Sequence, residues 1–252
     1  MPRDGFDIGG DLRALNARFA DDTQGALDFA LSGALGRIAM VSSFGAESVV
    51  LLHMLAQRHP DAPVLFVDTM MLFPETMAYQ RDVAQALNLQ DVRVIRPTRE
   101  AIFAHDPDGV LHLTEPDACC TLRKTQALEA ALDGFDGWIT GRKRSQGGER
   151  AALDLFEADG ARIKVNPLAG WDAARLSDYI DTHHLPRHPL VARGYPSIGC
   201  APCTGPVAPG EDPRAGRWRG REKTECGIHV RNGRVIRGNA AQPAASEQQA
   251  AQ

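Results

Sequence analysis

What this sequence lacks narrows it first. Residues 1–10 hold no basic flank followed by an apolar core, so no secretion signal is expected. No apolar run reaches the roughly 20 residues that span a bilayer, so no membrane partner is expected and the cytoplasm is the expected compartment. Neither the P-loop lysine pattern nor Gly-x-Gly-x-x-Gly occurs. There is no internal repeat. His53, His59, His105, His112, His183, His184 and His188 form no metal-like grouping with acids and read as surface or core residues. General excess positive charge is also missing: the net charge is −4 over 252 residues, which argues against a nucleic-acid partner.

The charge is nevertheless uneven. Between Arg214 and Arg237 stand Arg214, Arg217, Arg219, Arg221, Lys223, Arg231, Arg234 and Arg237 against Glu222 and Glu225. Eight positive charges against two negative, in a chain that is negative overall, point to an anionic ligand meeting this segment. A solvated basic loop would show the same excess, but Cys226 sits inside this one.

With 43% apolar residues the chain can bury a sizeable core. Helical spacing marks residues 12–20, 26–35, 47–58, 74–87 and 121–132, and Asp172 suits the cap of a helix running to about residue 181. Short apolar runs at 37–41, 64–67, 92–95, 138–140 and 163–165 suit buried strands. Strands alternating with helices predict an α/β fold, a mostly parallel sheet covered by helices. After Gly194 the pattern gives way to Gly, Pro and Arg. Residues 238–252 are rich in Ala and Gln and predict a disordered tail.

Five cysteines carry the strongest signal. Cys119 and Cys120 are adjacent, Cys200 and Cys203 form a Cys-x-x-Cys pair, and Cys226 stands alone. In a reducing compartment paired cysteines more often bind metal than form structural disulfides. Four thiolates suit zinc or an iron–sulfur cluster by count. A vicinal pair grips one small ion awkwardly but reaches two corners of a larger cubane, which favours a 4Fe–4S cluster over zinc. Buried apolar thiols are the plain alternative, weakened by the polar neighbours Asp117, Thr121, Arg123 and Lys124. The fifth thiol, beside Gly227 and among cations, has the setting of a reactive nucleophile.

The loop 42–48, Ser-Ser-Phe-Gly-Ala-Glu-Ser, joins a strand to a helix. A helix N-terminus at the carboxyl end of a parallel strand offers free N–H groups to an anion, and Gly45 permits close approach. An ordinary serine-capped turn has the same composition. Asp68-Thr69, ending the next strand, occupies the position where a base or ribose would lie.

The cysteine layout, the 42–48 loop and the terminal Glu225-Cys226-Gly227-Ile228-His229 together resemble the assimilatory adenylylsulfate (APS) reductases, close kin of the phosphoadenylylsulfate (PAPS) reductases. The ordered match runs from about Ser42 to His229. The resemblance implies an adenine-nucleotide α-hydrolase-like fold and a cytoplasmic enzyme of sulfate assimilation that reduces APS to sulfite and AMP with electrons from thioredoxin. It implies nucleotide contacts from Ser42, Ser43, Gly45, Val67, Asp68 and Thr69, with Met70 standing where the family has glycine. It further implies substrate contacts from Gly141, Arg150, Arg214, Arg217 and His229, cluster ligation by Cys119, Cys120, Cys200 and Cys203, and a charge link through Lys124. Catalytic roles fall to Cys226, Lys124 and His229, although His229 also suits a structural hydrogen bond. Residues 1–210 are then expected to form the nucleotide and iron–sulfur domain and 211–237 a mobile catalytic segment. PAPS reduction and a zinc-stabilised nucleotide-binding module without reductase activity remain alternatives. The sequence leaves a homo-oligomeric state open.

The expected chemistry is coherent. In the mixed anhydride of sulfate and phosphate, AMP is a good leaving group. A soft Cys226 thiolate attacks sulfur, expels AMP and becomes an S-sulfonate, which a thioredoxin thiol then converts to sulfite by exchange at sulfur.

Overall fold

The computed structural model describes residues 8–221 and 223. Its elements in chain order are α1 (Ile8–Arg18), α2 (Thr23–Leu31), β1 (Ile38–Ser42), α3 (Ser48–Ala56), β2 (Val64–Val67), α4 (Pro74–Ala86) and β3 (Val92–Ile95). Then come α5 (Arg99–His105), α6 (Leu111–Thr114), α7 (Pro116–Cys120), a π-helical turn (Thr121–Thr125), α8 (Gln126–Ala131) and β4 (Gly137–Ile139). β5 (Phe156–Asp159), β6 (Arg162–Val165) and α9 (Ala173–Thr182) complete the set. None of these helices is long and apolar enough to cross a membrane.

The six strands form one sheet in the order β3-β2-β1-β4-β6-β5. All pairs are parallel except β5–β6, an antiparallel hairpin at the edge. Alternation along the strands divides the core in two. Ile38, Met40, Val64 and Phe66 face the larger cluster, built with Val50, Leu51 and Leu55 of α3 and Leu176 and Ile180 of α9. Ala39 and Leu65 face the opposite way, against Leu128 and Leu132 of α8, Phe135 and Trp138. Helices therefore cover both faces, and the strand order reverses at β1, between β2 and β4. Crevices at the carboxyl ends of strands beside such a reversal are where α/β sheets bind ligands.

All five expected strands are present, and so is the cap at Asp172, whose carboxylate accepts the Arg175 N–H at 2.8 Å. Three expectations need correction. The second helix stops at Leu31 rather than residue 35, because Gly33 turns the chain at φ +88°. The helix expected over 121–132 begins earlier, at Pro116, and carries the π turn directly after the cysteine pair. β5 was not foreseen, since of its four residues only Phe156 is buried.

Residues 211–221 pack onto the body. Arg217 bridges Thr204, and Trp218 is buried. The expected tail 238–252, and Cys226 and His229, lie outside the described residues.

Candidate active site

The loop after β1 is shaped by Phe44. Its φ of +46° is left-handed, unusual for a bulky residue, yet its ring is fully buried edge-to-face on Phe66 at 5.2 Å. Burial of the ring holds the strained backbone. The Phe44 N–H donates to Ser42 Oγ at 3.2 Å and the Gly45 N–H to Ser48 Oγ at 3.0 Å. α3 then starts without a side-chain cap: Glu47, at its N-cap, pairs instead with Lys143 Nζ at 2.7 Å. The loop satisfies part of this end itself, the Ser48 N–H donating to the Gly45 carbonyl at 3.2 Å and the Val50 N–H to that of Glu47 at 3.3 Å.

Above the ends of β1, β2 and β4 lies a cavity of about 300 Å³. Of the residues expected from sequence, Ser42, Ser43, Gly45, Val67, Lys124, Gly141, Arg150, Arg214 and Arg217 line it. Arg142 and Lys143 join them, so six cationic residues stand against the carboxylates of Glu47 and Asp212. A concave wall of one charge sign selects an anion.

Lys143 was not singled out from sequence. Only its place after Thr140-Gly141, at the end of β4, hinted at it. Its side chain is almost wholly buried, and burial lowers its pKa; Glu47 opposes that shift, while Arg150 and Arg214 add to it. Arg217 stacks its guanidinium on Trp218 at 4.4 Å, and its Nε is buried without a hydrogen-bond partner. The stacked position depends on Gly199, where a Cβ would stand 2.3 Å from Arg217 Nη2.

Asp68 and Thr69 are not part of the cavity wall, although sequence reasoning turned them toward the nucleotide. Asp68 accepts the Met70 N–H at 2.9 Å and pairs with Arg96 at 2.8 Å. Thr69 faces the cysteines, its Oγ1 lying 3.2 Å from Cys200 Sγ. Met70 takes φ +60°, the left-handed conformation a glycine would adopt freely, and sends its side chain to solvent. The substitution therefore leaves the loop in a glycine-like conformation.

The four paired cysteines are free thiols, Cys119 and Cys120 buried, Cys200 and Cys203 partly so. Burial raises the Cys119 pKa, Arg123 opposes it, and Cys200, Cys203 and Asp106 raise it further. Burial and Cys200 raise that of Cys203 against the pull of Arg221, Lys124 and Arg217. Cys200 thus acts on both Cys119 and Cys203. Lys124 and Arg217 belong to both neighbourhoods, lining the cavity and acting on Cys203. No group of three or more His, Cys, Asp or Glu among the described residues is arranged to hold a metal ion. The donor set itself, four soft sulfurs ringed by cations, fits a thiolate-ligated anionic centre.

Beneath the cysteines lies a buried ion pair that sequence reasoning missed. Arg123, in the π turn, donates to Asp106 Oδ2 through Nη2 at 2.6 Å and Nε at 3.1 Å, and to the Thr69 carbonyl at 3.1 Å. Widening the helix into a π turn brings this guanidinium inward, and such turns occur often at functional sites.

The chain is similar to known proteins along most of its length. Residues 37–206 match the family described as phosphoadenosine phosphosulfate reductase domain. A Mesorhizobium japonicum protein named adenosine 5'-phosphosulfate reductase is 52% identical over 193 residues, 77% of this chain and 76% of that one. A Gloeobacter violaceus protein named phosphoadenosine 5'-phosphosulfate reductase is 40% identical over 199 residues, 77% of this chain and 83% of its own. The crystal structure of a phosphoadenylyl-sulfate reductase from Candida auris, a phosphate complex, superposes with a TM-score of 0.67 at 27% identity, covering 78% of this chain and 96% of that one. A Candida glabrata FMN adenylyltransferase, 17% identical, shares the fold alone, with a TM-score of 0.55 over 89% of this chain and 80% of its own. With a family match spanning most of the folded body and relatives this similar along most of their length, the chain belongs to the phosphoadenosine phosphosulfate reductase domain family.

Proposed function

We propose that this protein is an adenylylsulfate reductase of the cytoplasm, converting APS to sulfite and AMP with thioredoxin as the electron donor. The observation that carries the reading is the sharing of Lys124 and Arg217 between the cationic cavity and the cysteine group. A nucleotide seated over β1 and β2, its phosphosulfate toward Lys143, Arg150, Arg214 and Arg217, would place the sulfate beside the thiols. Relatives named adenosine 5'-phosphosulfate reductase support the choice of substrate.

In this reading the cations neutralise the repulsion between an anionic nucleophile and an anionic substrate. The Cys226 thiolate attacks the sulfate sulfur. The S–O bond to phosphate breaks, and AMP leaves with the bridging oxygen and its electron pair. A thioredoxin thiolate then attacks Cys226 Sγ, sulfite departs with the S–S pair, and the second thioredoxin thiol frees Cys226 as thioredoxin becomes a disulfide. The dithiol thus supplies both electrons. Three residues after Cys226, His229 is assigned to the substrate.

Cys119, Cys120, Cys200 and Cys203 would hold a 4Fe–4S cluster. When bound, such a cluster supplies a compact polarising centre beside the substrate. Lys124, with Arg123 as a more distant cation already paired to Asp106, would balance its charge. Protein purified anaerobically is expected to be brown with about four irons per chain. Colourless protein containing zinc would refute this assignment.

The test of function is sulfite release from anaerobic protein supplied with thioredoxin and either APS or PAPS. Turnover on APS is expected to dominate. The Gloeobacter relative favours PAPS as the second reading, and preferential turnover on PAPS would establish it.

A further inference from the structure

Five large apolar side chains among the described residues are exposed, and three of them fall within eleven positions: Phe103 at 80%, Val110 at 47% and Leu113 at 60%. Phe103 stands on α5, Val110 just before α6, and Leu113 on α6. The two short helices are not a loose excursion. Asp106, which ends α5, accepts the Leu111 N–H at 2.9 Å while paired with buried Arg123. Apolar groups held on a braced scaffold in this way suit an interaction surface better than a frayed loop.

The route of the chain supplies the second observation. Arg221 donates to the carbonyl of His112, the residue beside Leu113, and Lys223 pairs with Asp117 at the start of α7. The polypeptide therefore reaches the α6–α7 seam just before Cys226. Cys226 is three positions after Lys223, so their Cα atoms lie at most about 11 Å apart. Any molecule that attacks the sulfur of Cys226 must work close to this seam.

The third observation is a count. The chain has five cysteines, and the two pairs account for four. With the two pairs committed to the proposed cluster, none remains to resolve a modified Cys226 from within, and the two electrons come from an external dithiol. A protein dithiol needs a surface to dock on while its thiol reaches Cys226.

We propose that the exposed apolar side chains of Phe103, Val110 and Leu113 form the docking site for that dithiol protein, a reductant of the thioredoxin class. The proposal rests on the reading of Cys226 as the sulfonate acceptor. It assigns the face to the second half of the reaction only. The α5–α6 face binds the reductant, and the Arg221 and Lys223 contacts carry the chain to the α6–α7 seam, three positions before Cys226.

The test separates the two half-reactions in a Phe103→Ser/Leu113→Ser variant. Both side chains are exposed, so thermal unfolding should match that of the parent. Sulfur-35-labelled APS without reductant measures sulfonate formation; dithiothreitol measures release by a small thiol; thioredoxin in increasing amounts measures docking. Formation and small-thiol release are expected unchanged, with half-saturation by thioredoxin raised about tenfold or more. Unchanged thioredoxin dependence overturns the proposal. Slowed sulfonate formation also overturns it, assigning the face to the chain's own C-terminal segment. A changed sedimentation coefficient overturns it in favour of a second copy of this chain. A parent protein that takes no label fails on different grounds, sinking the reading of Cys226 and the docking site with it.

Discussion

Replacing Asp106 with Asn should cost more stability than the loss of any exposed ion pair in the molecule. The carboxylate side chain is 1% exposed and the Arg123 side chain 5%. Oδ2 takes two guanidinium N–H groups and Oδ1 the Leu111 N–H, so the acid ties the start of α6 to the π turn that follows the vicinal cysteines. Asn keeps the shape and one acceptor oxygen but leaves the guanidinium charge buried and unneutralised. Removing one partner of a buried pair costs about 3–5 kcal/mol, roughly a fifth or more of the stability of a typical domain. Urea unfolding monitored by tryptophan fluorescence would measure it. Adding Arg123→Met should recover part of the loss, because the stranded charge goes with it. A loss below about 1 kcal/mol, the scale of an exposed ion pair, would refute the view that this pair organises the cysteine region.

Further expectations follow from other parts of the molecule. His188 is 1% exposed; its Nδ1 accepts the Leu190 N–H and its Nε2 meets Thr76 Oγ1 at 3.0 Å, so it is held neutral, and burial lowers its pKa to about 4. Because the unfolded chain takes up this proton first, near pH 6.5, stability should fall by about 3 kcal/mol between pH 6.5 and 4; His188→Asn should flatten that slope in urea titrations at each pH. Lys143→Met should weaken AMP binding in calorimetry by about ten- to a hundredfold, the scale of a lost charged hydrogen bond, whereas unchanged affinity would remove Lys143 from the anion site. Met70→Gly relieves a left-handed conformation and gives up little burial, so the thermal midpoint should rise by the equivalent of up to about 1 kcal/mol.

The parallel strands were legible because each is a short apolar run bounded by turn residues, and strands buried on both faces carry no other signal. β3 shows the limit of that reading. It reads as a buried strand, yet Arg93 and Val94 are exposed because β3 forms one edge of the sheet. β5 escaped because its single buried residue gives no alternation, although Asp159-Gly160 before Arg162 is a hairpin signal. Of the cavity residues, Arg150 could be named only through motif resemblance, whereas the 42–48 loop, Arg214 and Arg217 also stood out by position and charge. What brings them together, the strand order β2-β1-β4, is invisible in one sequence. The Asp106–Arg123 pair was illegible for a related reason. Seventeen residues separate the partners, and only the π turn, a feature with no sequence pattern, faces Arg123 inward. Thr69 was read by its place at a strand end, but beyond the end of β2 its hydroxyl meets Cys200 Sγ and not the cavity.

Cys226 is the residue on which the proposed chemistry turns. Anaerobic protein mixed with sulfur-35-labelled APS, without reductant, should take up about one label per chain on the peptide carrying Cys226 and release an equal amount of AMP. The Cys226→Ser variant should keep its iron and take up none. Label on that variant, or AMP formed by the parent without label on the Cys226 peptide, would contradict the assignment of Cys226 as the sulfonate acceptor.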